Sequence, residues 1–202
     1  FLVTGIFSMA EMEPRSQQIR AVSNYGNWHI GIKNITDEDA DLIAERPDVA
    51  AASRYEALNY RLRDDYEISG KKIAVCAVEE DFVTDIFSGG LIEGEFPSSE
   101  NEVILTKNAE EGLGIKVGDD VDISIPEGGS VSFTVSGFVM DSVMTDRADA
   151  IAVLMLPGPF KDIYRTVQDR DLTDIDMMYY VQFKDSVNIA GSIQDVKTQY
   201  GL

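Results

Sequence analysis

His29 is the only histidine of the chain and Cys76 the only cysteine, which leaves few ways to build a nucleophile. A serine or thiol needs a neighbouring base to become reactive, so any Ser/His/Asp or Cys/His arrangement would have to recruit His29. On the alternating stretch that carries Trp28, Ile30 and Ile32, His29 faces away from the apolar residues. No spacing places a serine or Cys76 beside it. Cys76 lies in the apolar run Ile73 to Val78, a setting for a small buried hydrophobe rather than a reactive thiol. One cysteine excludes an internal disulfide. Zinc sites draw on several Cys and His ligands, so none is expected.

Calcium takes oxygen ligands, and three acidic runs qualify by type. They are Asp37, Glu38, Asp39 and Asp41; Asp119, Asp120 and Asp122; and Asp169, Asp171, Asp174 and Asp176. None follows the EF-hand spacing, and the third lacks both its glycine and its closing glutamate. The first run suits a helix N-terminus, where the dipole favours acids. The second follows Gly118 and suits a turn. Gly112 and Gly114 do not extend to a dinucleotide fingerprint, and no phosphate loop is present. The expectation is therefore no catalytic residue, no metal and no cofactor. Met140, Met144, Met177 and Met178 are candidates for a soft binding surface, with core packing as the commoner role for methionine.

The surface chemistry points the same way. Asp plus Glu number 36 against 17 Lys plus Arg, a formal net charge of −19. Such a chain repels nucleic acid and anionic lipid headgroups and leaves cationic peptides as possible partners. Hydrophobic residues make up 44% of 202, enough to bury a core in one large domain or two small ones. Residues 1–10 are mostly apolar, but ten helical residues cover only about 15 Å, and a membrane span needs about 20 residues. They lack a basic start, so they make a poor signal peptide. They fit either the outer end of a transmembrane helix or an N-terminal core helix. Residues 11–26 are polar and read as a linker or stalk.

Trp28, Ile30 and Ile32 predict a half-buried strand. Thr36 with Asp39 predicts a capped acidic helix carrying Ala40, Leu42 and Ile43, ended before Pro47. Leu58, Tyr60 and Leu62 alternate as a second strand. Ser69-Gly70 marks a turn before the buried strand Ile73 to Val78. Phe82, Val83, Ile86 and Phe87 have helical spacing. From Leu91 to about Asp149 the pattern changes to short strands and turns. Val103 to Leu105 is a strand, Asn108 to Gly112 a helical turn ended by Gly114. Val121, Ile123 and Ile125, then Val131, Phe133 and Val135, alternate on either side of Glu127-Gly128-Gly129, a hairpin signature with one wet face. Beyond Asp149 the signals are a buried strand from Ile151 to Leu156, a helix from Phe160 to Gln168 and a strand from Met177 to Phe183. A last helix, capped by Ser186, carries Ile189, Ile193, Val196 and Tyr200 on one face.

The fold class is α+β. The first and last parts are compatible with a split βαβ unit, interrupted by a small β-rich insert. The expected division is 1–26 as stalk, 27–90 plus 150–202 as the α/β part, and 91–149 as the insert.

The order of motifs from Leu91 to Gly137 resembles the extracytoplasmic domain of FtsX/MacB-type ABC transporter permeases. Gly94 and Pro97 shape a turn, Asn101-Glu102 leads into a strand, Leu113-Gly114 closes a helical turn, and Gly118-Asp119 reverses the chain before Val121. Upstream, Gly31 to Thr36, Ile43 and Arg46-Pro47-Asp48-Val49 resemble the early helix and P-x-V segment of the same domains. The resemblance implies a porter-like discontinuous α/β part with a sabre-like β insert, placed outside the cell membrane and doing no chemistry. It also implies partners: a cytosolic ABC ATPase subunit, a second permease in a homo- or heterodimer, and a peptide, lipid or protein cargo. Motion would pass through residues 1–26 and the C-terminal helix, with hinges at Gly89-Gly90 and from Asp141 to Ala148. Two other functions stay open: a peptide-binding or sensor module that recruits a partner such as a cell-wall hydrolase, and a secreted hydrolase with an acidic dyad.

Overall fold

The computed structural model describes residues 6–8, 26–87, 90–126, 129–140, 150–167 and 175–201. In chain order the elements are β1 (Ile6–Ser8), β2 (Ile30–Lys33), α1 (Asp37–Ala44), β3 (Val49–Leu58), β4 (Glu67–Ile68), β5 (Lys71–Val78), a π-helical turn (Phe82–Ile86), β6 (Leu91–Gly94), β7 (Glu102–Thr106), α2 (Asn108–Leu113), β8 (Asp120–Ile125), β9 (Gly129–Val139), β10 (Ile151–Met155), α3 (Pro157–Val167), β11 (Ile175–Phe183) and α4 (Ile189–Tyr200). The chain folds into two units. Unit 1 takes Phe1–Tyr55, Asp81–Ser88 and Met177–Leu202; unit 2 takes Glu56–Glu80 and Gly89–Asp176. This division differs from the expected one. The segments 56–80 and 150–176, assigned from sequence to the α/β part, fold with the β-rich stretch because β5 and β10 pair with each other and β10 pairs with β7.

In unit 1 the strand order is β1-β2-β11-β3, with β11 between the two strands that α1 connects. β2 and β11 run antiparallel, with Ile32 opposite Tyr179 and Ile30 opposite Val181. Thr36 caps α1 by accepting the Asp39 N–H on its hydroxyl oxygen at 3.1 Å, and acids fill the first turn, where the helix dipole favours them. The core gathers Ile30, Ile32, Ile43, Val181, Phe183 and Val196. Each such side chain contributes about 1.5–3 kcal/mol through burial. Tyr179 joins this core and donates its hydroxyl to the Ala40 carbonyl at 2.9 Å, which satisfies its polar end. Gly31 is buried because Met178 and Tyr180 lie across it; a Cβ there would sit 2.8 Å from Met178 Cε. The π-helical turn closes with the Phe87 N–H donating to the Phe82 carbonyl at 2.7 Å, which lets Phe82 stack on both Tyr55 and Phe87.

Unit 2 contains a ring of strands. The order β5-β10-β7-β9-β8-β4 returns to its start because β4 also pairs with β5. The β4–β5 hairpin turns at Ser69 and Gly70, both at positive φ, the pair of left-handed residues that a tight hairpin turn requires. β5 and β10 are parallel and buried along their apolar lengths, which explains their unbroken hydrophobic runs. Val75, Val103, Leu105, Phe133, Val135 and Val153 share one core. Phe160 and Ile163 of α3 join it, so the helix packs on the same core as the strands. Pro157 and Pro159 occupy the first turn of α3, where a missing N–H costs little.

Several local expectations change. The strand expected at Leu58 to Leu62 ends at Leu58, and Asn59 and Leu62 adopt positive φ in the turn that follows. The cap of α4 is Asn188, whose side chain accepts the Gly191 N–H at 3.3 Å, and not Ser186. α3 begins at Pro157 rather than Phe160. Ile6–Ser8 pairs as a strand with β2, where helix was expected. The rest of the 1–26 segment, Gly26 apart, lies outside the described residues, as do Glu127 and Gly128 of the hairpin turn. Among the described residues no helix is long and apolar enough to cross a membrane.

Candidate functional site

The residues singled out for chemistry are held in structural roles. His29 accepts the Phe183 N–H on Nδ1 at 2.9 Å, so the imidazole ties β11 to the entry of β2. Burial pushes its pKa below the usual histidine value, and nearby Asp185 partly opposes this. Cys76 is fully buried in the middle of β5, opposite Leu154. His29 belongs to unit 1 and Cys76 to unit 2.

Members of two of the three acidic runs are likewise held in structural roles. Asp37, Glu38 and Asp39 occupy the first turn of α1. Asp119 accepts the Lys116 N–H at 2.9 Å, Asp120 accepts the Thr134 hydroxyl at 2.8 Å, and Asp122 accepts the Ser132 hydroxyl. Most of the run from Asp169 to Asp176 lies outside the described residues. Among the described residues no three His, Cys, Asp or Glu side chains come together as a metal site. Of the methionines, Met178 covers Gly31, Met177 packs against the unit 1 core, Met140 is 48% exposed, and Met144 lies outside the described residues. Gly89 and Asp141–Ala148, named as hinges, also lie outside them.

What unit 2 does offer is a groove of about 360 Å³ between the β8–β9 hairpin and α3. Its apolar floor is made by Ile125, Val131, Phe133, Pro159 and Ile163. Glu100, Asn101, Ser132, Asp162 and Thr166 form the polar rim. The groove exists because β9 has 11 residues and β7 only 5. β7 begins at Glu102 opposite Thr134, and the hairpin runs on past it. Val131, read from the sequence as an inward residue of an alternating strand, is 36% exposed for this reason. The rim loop is held by Glu102, whose carboxylate accepts the N–H groups of Ser98 (2.7 Å) and Ser99 (3.2 Å). Those hydrogen bonds hold its pKa below the usual glutamate value. Glu100 and Asp162 were not identified from sequence. The signal that was available is the length mismatch between the hairpin and the short Val103–Leu105 strand.

The fold defines a class of mixed α+β domain. A profile of the MacB-like periplasmic core domain matches residues 1–199. The chain belongs to that family, the extracytoplasmic domains of ABC transporter permeases. Solved structures share the fold at low sequence identity. The periplasmic region of MacB from Actinobacillus actinomycetemcomitans is 15% identical with a TM-score of 0.54, over 84% of this chain and 76% of that one. A domain of a putative permease protein from Porphyromonas gingivalis is 14% identical with a TM-score of 0.50, over 88% of this chain and 78% of that one. No curated protein sequence matches the chain.

Proposed function

We propose that this domain does no bond chemistry and couples ATP hydrolysis by a cytosolic ABC ATPase subunit to movement outside the membrane, within a homo- or heterodimeric permease that handles a peptide, lipid or protein cargo. The observation that carries this reading is the family match over nearly the whole chain. The chain path supports it. The segments nearest both ends belong to unit 1, and unit 2 is entered and left at 55–56, 80–81, 88–89 and 176–177. Unit 1 is the porter-like part, with β11 inserted between β2 and β3 as a split βαβ unit requires. Unit 2 is the sabre-like part, larger than the 91–149 insert expected from sequence. A stalk within residues 1–26 has to leave out Ile6–Ser8, which pair with β2, and a hinge at Gly89-Gly90 falls where the chain passes from unit 1 to unit 2.

The test uses the full-length permease reconstituted with its ATPase. Leu42 in unit 1 and Val117 in unit 2 are exposed and accept cysteine labels, and buried Cys76 stays unlabelled. An ATP-dependent change in the inter-label distance is the expected result. An unchanged distance through the ATPase cycle overturns the coupling role.

A second reading is favoured by the groove of unit 2: an extracytoplasmic peptide-binding or sensor module that recruits a partner such as a cell-wall hydrolase.

A further inference from the structure

We infer that the N-terminal half of β9 is a docking edge for an extended polypeptide segment of alternating apolar and basic residues, which adds to the sheet as a strand and seats in the groove against α3. The backbone directions follow from two hydrogen bonds. The Thr134 N–H donates to the Asn101 carbonyl at 2.8 Å, on the β7 side of β9. The Val135 N–H donates to the Asp119 carbonyl at 2.8 Å, on the β8 side. Peptide groups alternate sides along a strand, so Ser132 and Ser130 turn theirs to the side used by Thr134. The close side-chain pairs Thr134–Asp120 and Ser132–Asp122 fit the same assignment, since side chains approach most closely at non-hydrogen-bonded pairs. β7 stops at Glu102, so among the described residues no strand lies beside Ser130 and Ser132 on that side. An exposed strand edge is a template for a further strand.

The groove then selects the occupant. Its floor is apolar, with Val131 and Phe133 from β9 facing Ile163 from α3. At its rim Glu100 lies beside Gly158 at the start of α3 and has no cation next to it among the described residues, whereas Asp162 already pairs with Arg165 at 2.6 Å. An incoming strand places alternate side chains on the floor and at the rim. A lysine or arginine there meets Glu100, and the net charge of −19 favours basic over acidic segments. The inference rests on the second reading above only in requiring a polypeptide partner. It stands or falls independently of ATP coupling.

The probe is a short synthetic peptide of alternating valine and lysine, titrated into the 202-residue chain and followed by amide NMR and hydrogen exchange. In the free chain the Ser130 and Ser132 amides exchange fast; on binding they become protected. A peptide N-methylated along its pairing edge, and one with glutamate in place of lysine, bind at least about tenfold more weakly. Glu100→Lys, at an exposed position, weakens binding by about tenfold without altering the fold. Ser132→Pro, which removes a backbone N–H not used by β8 together with the hydroxyl that Asp122 accepts, abolishes binding, whereas Ser132→Ala, which loses only the hydroxyl, keeps it. Ser130 and Ser132 amides that are already protected in the free chain overturn the inference, as does equal binding of the three peptides. Protection confined to another part of the chain, as expected if the partner reading holds but the site is elsewhere, overturns it too.

Discussion

Gly94 and Gly137 pair across β6 and β9 so closely that neither has room for a side chain. Gly94 has φ +77, and a Cβ on it would collide with the Ser136 carbonyl; a Cβ on Gly137 would lie 2.6 Å from the Glu93 carbonyl oxygen. β9 carries a register shift at this point, which turns the Ser136 carbonyl toward Glu95. Gly94→Ala is expected to cost about 2–4 kcal/mol, through strain at positive φ plus displacement of packed backbone. Gly118 also has positive φ but opens onto empty space. Gly118→Ala is expected to cost about 1 kcal/mol. Equal losses in urea unfolding would show that φ alone matters and that the backbone contact does not.

Asn59 holds the turn between β3 and β4. Its side-chain amide donates to the Ile73 carbonyl at 2.9 Å and to the Asp64 carbonyl at 3.2 Å, and its oxygen accepts the Asp64 N–H at 2.9 Å. It also sits at φ +58, a conformation asparagine tolerates better than most residues. Asn59→Ala should destabilise the chain by about 2–3 kcal/mol, since buried backbone groups lose their partners. Asn59→Asp keeps the acceptor and loses the donors, so it should retain the Asp64 contact while still losing stability. A change within about 0.5 kcal/mol for the alanine variant contradicts this role.

His29 gives the fold a pH dependence. Only a neutral ring accepts the Phe183 N–H on Nδ1, and burial already disfavours the charged form. The folded-state pKa is thus below the unfolded value of 6.5. The contribution of His29 to stability is complete above that value and is lost as pH falls toward the folded pKa. NMR titration of the single imidazole should give a midpoint below 6.5. A midpoint above it reverses the sign and removes the argument.

Cys76 should be inert in the native chain. It has no exposed surface and lies in β5, flanked by residues buried on both sides. Modification by a thiol reagent should track global unfolding and accelerate with denaturant. Fast labelling in buffer, at the rate of a free thiol, would mean that β5 opens locally.

Legibility from sequence followed the chemistry of each segment. Val121, Ile123, Phe133 and Val135 declared their strands because one face is wet. Ile73–Val78 and Ile151–Met155 declared theirs because both faces are dry. Gly114 and Gly118 marked a helix end and a chain reversal, whereas Gly94, read as part of a turn, is the last residue of β6. Val49–Leu58 did not show, because Ala50, Ala51 and Ala52 are too small to display alternation, and the visible Leu58-Tyr60-Leu62 pattern drew the strand one turn too far. Asn188 was passed over for Ser186, since both are good caps and only the helix start decides between them. The groove was hidden for a different reason. It brings Glu100 beside Gly158 and Val131 opposite α3, juxtapositions set by strand order rather than by any local pattern.

The two residues of β4 carry a burden out of proportion to their length. Among the described residues the other strands of the unit 2 ring are five residues or longer, whereas the two residues Glu67 and Ile68 join the β8 edge to the β5 edge. The ring behaves as a bracelet fastened by a small clasp. Without Glu67 and Ile68 the strand order from β5 to β8 would be an open, curled sheet rather than a ring.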